Sequence, residues 1–436
     1  MIPLFYIRAG QYQLLRYIHN FENSQWWSEE RIKNNQWERL KTLINHVYET
    51  VPYYKKLMNR NDITPDDIKD FDDFSKFPIL TKKMVRDNLK DMLSTKYKTE
   101  MLIHDSTGGS TGSPLLFYYD NDFLLKKLAA TYRHFSFSGY KPGDRISLIW
   151  GMEKDISSHL KKKMVMRYLF KTLVINAFNL SESKLNSFCS EIEKFKPLYL
   201  RGYANCLYLL AKYVMNRGLQ YKFKAVISEA EKLDISKRVT IEKAFQTKVF
   251  NLYGCREFGT IASECDKGEG MHINAENIYV ETEWIESHYG SERIIVTSLH
   301  NFAMPFLRYD MQDVGSSTNI KCTCGRNLPL LKEVSGRTSN FFLTADCKYI
   351  HGEYFTHLLY GSQGIENFQL IQETINKFDL KIVRNSKFNK KSIKPLLEGI
   401  SNVFGANSKV EISLVKSIPN EVSGKYLFTK SKVSVL

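Results

Sequence analysis

Residues 106–115 read STGGSTGSPL, and the meaning given to that stretch decides what kind of molecule the rest of the chain describes. Five of the ten side chains carry hydroxyls (Ser106, Thr107, Ser110, Thr111 and Ser113), and three positions are glycine (Gly108, Gly109 and Gly112). Glycine admits backbone geometries closed to other residues and lets amide N–H groups approach an anion closely. The stretch is nevertheless not a mononucleotide P-loop, which needs G-x-x-x-x-G-K-[ST] running into a helix. Pro114 stands where the lysine would be, and the following LLFYYD (115–120) has the texture of a strand. The loop therefore joins two strands. On composition it is either a surface turn or a cradle able to surround the β- and γ-phosphates of ATP.

Outward from that loop, residues 120–255 alternate between two patterns. NDFLLKKLAATYRHFSFSGY (121–140) has helical spacing, KPGD turns the chain, and RISLIWG (145–151) reads as a strand. LSESKLNSFCSEIEKF (180–195) opens with Ser181 as a helix cap, and KPLYLRGY (196–203) follows as an extended run. ANCLYLLAKYVMNRG, KAVIS, ISKRVTIEKAF and KVFNLYG continue as helix, strand, helix and strand. Such alternation predicts an α/β unit with a largely parallel sheet flanked by helices. From 276 to 315 the texture turns to strands, with NIYVETEW and ERIIVTSL. After SGRTSN (335–340) a smaller α+β unit is expected, with strands FQLIQE, DLKIVRN and KVEISLVKSI around a helix KSIKPLLEGISNVFG. The boundary falls at about 337.

The chain has 436 residues, 43% of them hydrophobic, which suits a soluble protein of two or three domains with a sizeable core. No run approaches the roughly 18–20 apolar residues of a membrane helix. The first 18 residues lack the basic start and cleavage site of a secretory signal. They read as an amphipathic helix packed on its own protein, with docking to a membrane-bound partner as the alternative. The net charge of +15 raises nucleic-acid binding, but basic and acidic residues are interspersed and no reading motif is present. Residues 371–436 hold 12 Lys and Arg against 5 Asp and Glu, so that end alone carries +7. A basic terminal module could close over a polyphosphate or simply be a solvated surface. Seven cysteines, an odd number, favour a reducing, cytoplasmic setting over disulfides.

Five segments in order carry a resemblance. STGGSTGSP is similar to the phosphate loop of the adenylate-forming enzymes, the acyl-CoA synthetase and luciferase superfamily. NLYGCREFG (251–259) resembles its Tyr-Gly-x-x-Glu segment, RYDMQDVG (308–315) its Arg-…-Asp segment, SGRTSN its Gly-Arg hinge, and EVSGKYLFTKSKV (421–433) its catalytic-lysine segment. VPYYKKLM, HGEYFTHLLYG and the cysteines point to the phenylacetate–CoA ligase-like branch, and within it to the CapK-like capsular polysaccharide biosynthesis proteins. The resemblance implies an N-terminal adenylation domain over 1–336, with mixed sheets and flanking helices and a zinc-binding insert around 265–324. It implies a small, mobile C-terminal lid domain over 337–436.

The resemblance also assigns roles. Ser106, Thr107, Gly108, Gly109, Ser110, Thr111 and Gly112 would wrap the ATP phosphates. Glu257 would hold Mg2+ against them, neutralising charge that builds up as the acid attacks. Tyr253 would lie against adenine, although a core tyrosine at a strand end is an alternative. AVISEAEKL (225–233) resembles the segment lining the adenine pocket, where the family often has glycines. Asp313 would accept both ribose hydroxyls. Arg308, from the Arg-…-Asp segment, is a further nucleotide-binding candidate, and Arg337, the arginine of the hinge segment, would reach ribose or phosphate, with an interdomain salt bridge as the alternative. Lys425 would bridge the attacking carboxylate and the α-phosphate. Ser339 and Asn340 stand where many members carry two hinge aspartates, which leaves the second half-reaction open.

Cys265 and His272, with Cys322 and Cys324, offer two pairs of ligands suited to tetrahedral Zn2+. The single residue between Cys322 and Cys324 is tighter than the usual finger spacing, but some members of the resembled branch bind zinc here. With four protein ligands such a site is structural. Cys255 reads as a pocket wall or an alternative ligand.

The expected activity is ATP- and Mg2+-dependent adenylation of a carboxylic acid, with pyrophosphate released and the acyl group passed to coenzyme A or a carrier thiol. CapK-like resemblance implies service to surface polysaccharide synthesis. The partners implied are a small carboxylic acid, a carrier protein or polysaccharide-assembly enzymes, and a second copy in a homodimer, with no nucleic acid and no integral membrane segment. The alternatives are an amide ligase acting on an amine such as an amino sugar, and a non-catalytic nucleotide-binding scaffold.

Overall fold

The computed structural model describes residues 11–107, 115–150, 166–167, 170–177, 180–231, 233, 235–284, 292–334, 341–346, 349–359, 362–418 and 428–433. The chain divides into two compact units, one formed by 1–106, 115–142 and 250–336, the other by 107–114, 143–249 and 337–436.

The first unit is built on antiparallel strands in the order Ile278–Trp284, Glu292–Ser298, Tyr309–Thr318, Leu330–Val334, Met271–Ile273, Gly259–Glu264 and Val249–Cys255. Its long helix Glu29–Thr50 starts at Ser28, whose hydroxyl accepts from the Arg31 N–H, with Glu29 and Glu30 favourably placed in the first turn. Ile32, Gln36, Leu40, Leu43, Ile44 and Val47 follow a three-and-four spacing, turn inward and are buried. Each of the apolar side chains on that face contributes about 1.5–3 kcal/mol by leaving water. The hairpin Ile103–Ser106 and Leu116–Tyr119 pairs Ser106 with Leu116, so the glycine-rich loop does join two strands.

The helix Asn121–Ser136 is capped by Asp120, whose carboxylate accepts from the Phe123 N–H at 2.8 Å. From it the fully buried Arg133 reaches both oxygens of Glu276, at 3.0 and 3.1 Å, and Asn274 at 3.1 Å. Ser24 Oγ, at the end of the helix Gln11–Ser24, donates to the same carboxylate at 2.6 Å. Ile18 and Phe21 of that helix pack on Ala129 and Ala130. The leading amphipathic helix is thus packed on its own protein over residues 11–24, while 1–10 lie outside the described residues.

The second unit contains the expected parallel strands, in the order Ala225–Glu229, Tyr199–Tyr203, Ile146–Trp150 and Thr172–Asn176. The helix Glu182–Phe195 begins at Ser181, as read from the sequence, with the Ser181 side chain accepting from the Lys184 N–H. Leu185, Phe188, Ile192, Leu207, Leu210 and Val226 form its core. Residues 341–433 of this unit carry a four-stranded sheet in the order Lys409–Leu414, Lys377–Arg384, Ile365–Thr374 and Thr429–Ser431. The helix Lys394–Phe404 buries Leu396, Ile400 and Phe404 in a cluster with Phe378, Leu380 and Ile382. Among the described residues no helix is long and apolar enough to cross a membrane.

Candidate nucleotide and metal sites

Tyr253 and Glu257 sit on one hairpin. The strand Val249–Cys255 turns through residues 256–258 into Gly259–Glu264. A Cβ on Gly254 would come within 2.4 Å of the Gly259 carbonyl oxygen, and Gly259 itself has φ +76°. Gly254 lacks a Cβ so that the strands can close this tightly, and Gly259 takes the left-handed backbone that the turn requires. Across the sheet, Tyr309–Thr318 is irregular: Arg293 faces Val314 but Ile295 faces Asp310, so the second strand carries extra residues. Gln312 absorbs them with φ 57°. The bulge re-aims the next side chain, and the Tyr253 hydroxyl donates to Asp313 Oδ2 at 2.9 Å. The structure therefore brings together the two residues expected at adenine and ribose, with Asp313 buried. Glu257 is also buried, and the Tyr309 hydroxyl donates to its Oε1 at 3.4 Å.

Arg308 is placed differently from a phosphate ligand. Its backbone has φ 47°, its Nε lies 3.1 Å from both oxygens of Glu281, and one terminal nitrogen donates to the Phe77 carbonyl. Only about 6% of the side chain is exposed. The guanidinium thus binds parts of the first unit to one another. Of the loop residues, Ser106 ends its strand and its N–H donates to Asp105 at 2.7 Å. Thr107 is described but lies at the start of the second unit. Gly108, Gly109, Ser110, Thr111 and Gly112 lie outside the described residues, as do Arg337, Ser339, Asn340 and Lys425.

In the second unit, Ser228 and Glu229 are fully or nearly buried at the end of Ala225–Glu229. Glu229 takes a two-pronged ion pair from Arg201, whose Nη2 lies 2.8 Å from Oε2. Ala230 has φ 66°, in the left-handed region where a Cβ is strained. The position keeps a glycine-like geometry without the glycine common in the resembled family. Ala230→Gly should therefore raise stability by about 1 kcal/mol, read as a shift of the urea midpoint. An unchanged or lowered midpoint would contradict this.

The metal quartet is assembled by strand pairing. His272 lies opposite Leu330, which brings the 322–324 turn beside the end of Gly259–Glu264, where Cys265 follows. The ligand atoms of Cys265, His272, Cys322 and Cys324 all lie within 4.8 Å of one another. Cys265 and Cys322 sulfurs are 3.5 Å apart, and Cys324 Sγ is 3.3 Å from His272 Nε2. Four ligands about 2.0–2.3 Å from one centre give edges of this size, so three sulfurs and one imidazole fit a tetrahedral soft-metal site. Burial, with Arg326 and Arg133 nearby, pushes His272 down to about 4, so its ring is neutral and offers a lone pair. Burial pushes the Cys265 and Cys322 thiols up. At Cys324 burial acts the same way but is outweighed by the Arg326 backbone and side chain, which hold the thiol below its usual range. Cys255 stands outside the quartet and accepts from the Phe258 N–H.

Two groups near Glu257 were not legible as site residues. Arg256 Nη1 pairs with Asp105 Oδ1 at 3.0 Å and donates to the Ser106 carbonyl at 3.3 Å. Lys127 Nζ donates to the Arg256 carbonyl at 2.9 Å and lies 4.5 Å from the Tyr119 ring centre. Burial pushes the Lys127 ammonium down, opposed by Asp105. Nothing in the separation of 105, 127 and 256 announces their meeting.

Comparison with known proteins agrees with this architecture. The solved 2-hydroxyisobutyryl-CoA ligase, in complex with 2-HIB-AMP and CoA, superposes with a TM-score of 0.64 over 94% of this chain and 93% of that one, at 16% identity. The fold is thus that of the acyl-CoA ligases, a mixed α/β architecture with a small separate C-terminal sheet. More narrowly, the chain is CapK-like, on the phenylacetate–CoA ligase branch of the adenylate-forming enzymes. Residues 342–432 match the CapK C-terminal domain family. Protein CapK of Staphylococcus aureus is 26% identical over 91% of this chain and 88% of its own length. The phenylacetate-coenzyme A ligase of Thermus thermophilus is 23% identical over 82% and 83% respectively. The chain is therefore distantly homologous to AMP-forming acid–CoA ligases.

Proposed function

We propose that the protein activates a carboxylic acid with ATP, forming an acyl-adenylate and pyrophosphate, and then passes the acyl group to the thiol of coenzyme A or a carrier protein. The observation that carries this reading is the hydrogen bond to Asp313 from Tyr253, which shares a hairpin with the buried Glu257. Tyr253 offers a flat ring for adenine, and Asp313 offers a carboxylate for ribose hydroxyls. Glu257 would hold Mg2+, which supplies charge neutralisation to the phosphates. The hydroxyls of Ser106 and Thr107, with the donors of the loop through Gly112, would face the departing pyrophosphate. Lys425 supplies positive charge at the α-phosphate. Arg308 acts by holding the strand that carries Asp313, through Glu281 and Phe77, and Arg337 belongs to the hinge between domains 1–336 and 337–436. Zn2+ held by Cys265, His272, Cys322 and Cys324 would be structural, since no ligand position is left for water. Similarity to CapK supports a role in supplying an acyl group for surface polysaccharide, in the cytoplasm.

The test is ATP–pyrophosphate exchange across a panel of acids. At least one acid should support exchange, and Glu257→Gln should lower it about 100-fold with far-UV circular dichroism unchanged. Exchange that survives the substitution would move the metal-holding role away from Glu257. Absence of exchange with every acid would favour a nucleotide-binding scaffold.

A further inference from the structure

We propose that Arg256 is a positioning residue for the nucleotide's phosphates, clamping the stem of the glycine-rich loop to the turn that bears Glu257. This rests on the adenylation reading and names a part of the machinery the motifs do not assign. Arg256 occupies a variable position within Tyr-Gly-x-x-Glu, so its identity is not dictated by the segment itself.

The clamp has three points. Arg256 Nη1 holds the Asp105 carboxylate at 3.0 Å and the Ser106 carbonyl at 3.3 Å, the last two residues of the strand entering the loop. Asp105 in turn accepts from the Ser106 N–H at 2.7 Å, which fixes the strand's exit. From the opposite side Lys127 donates to the Arg256 carbonyl at 2.9 Å, one peptide before Glu257. Gly259 makes room for this contact: a Cβ there would lie 2.3 Å from Lys127 Cγ. The charges therefore sit on backbone that carries a proposed phosphate donor at one end and a proposed metal-holding carboxylate at the other. Arg256 and Asp105 side chains are only 24% and 30% exposed, so the pair is sheltered from full solvent screening. Loss of the tether lets loop stem and carboxylate turn drift independently, and misplacement by a fraction of an ångström weakens binding of a group held from both sides.

The experiment measures ATP–pyrophosphate exchange and melting temperature for the full chain and for Arg256→Gln, Arg256→Lys, Asp105→Asn and the Asp105→Asn/Arg256→Gln pair. Arg256→Gln should raise KM for MgATP and for pyrophosphate about tenfold while KM for the acid stays unchanged. Asp105→Asn should move the same two constants, the double variant should be no worse than Arg256→Gln, and Arg256→Lys should recover part of the loss. Should Arg256→Gln fail to fold, the isosteric Asp105→Asn reads the same pair. Folded variants with unchanged nucleotide and pyrophosphate constants, or with the acid constant shifted equally, overturn the proposal and leave adenylation standing. Wild-type protein with neither exchange nor a nucleotide-dependent melting shift overturns both.

Discussion

Lys425→Ala should lower ATP–pyrophosphate exchange by about 100- to 1,000-fold while sparing acyl transfer from a supplied acyl-adenylate to coenzyme A. The size follows from removing one preorganised positive charge from a transition state in which a carboxylate attacks an already anionic phosphate, a loss of about 3–4 kcal/mol. The split between half-reactions follows from where that charge is needed. Once the adenylate exists, the carboxylate charge is gone and the thiol meets the activated carbonyl of a mixed acyl–phosphate anhydride, with AMP as the leaving group. Lys425→Arg should not restore full exchange, because a planar guanidinium does not replace a compact ammonium at a point between two oxygens. Equal loss of both half-reactions would give the lysine a different task.

Removing the metal should be the largest stability effect. Purified protein is expected to contain about one zinc per chain, and stripping it with a strong chelator should lower the melting temperature by roughly 5–10 °C. Cys322→Ser should reproduce both the loss of zinc and the lower melting point. Cys255→Ser should retain zinc, because Cys255 stands apart from the four-ligand group. Metal analysis that finds none, with melting unchanged by chelation, would remove the assignment.

The alternating part of the fold could be read because its strands are short apolar runs between capped helices. Ser181 and Ala225–Glu229 fell where patterning placed them. The candidate site residues Tyr253, Glu257 and Asp313 could be named because they come in an ordered set of motifs. Their geometry could not be read that way. The Tyr253–Asp313 contact depends on a bulge at Gln312, and a left-handed glutamine has no periodic signature. Arg308 illustrates the same limit: its partner Glu281 lies 27 residues away on the strand Ile278–Trp284, and only the folded contact shows that the guanidinium is already engaged. All four residues of the metal group were named from the sequence, as two pairs. What closed it was the pairing of Met271–Ile273 with Leu330–Val334, a tertiary fact. Asp105, Arg256 and Lys127 were invisible because ordinary charged residues carry no marker until packing places them together.

The buried Arg133–Glu276 pair has a practical consequence for anyone trimming this chain for expression. A version beginning at Glu29 would keep every residue named in either site, yet it would strip Glu276 of the Ser24 hydroxyl and lay bare Ala129 and Ala130. A dry ion pair that loses a donor and gains water on one flank is a weak foundation for the helix that carries Lys127. Low yield from such a version would report on its missing first helix rather than on the chemistry downstream.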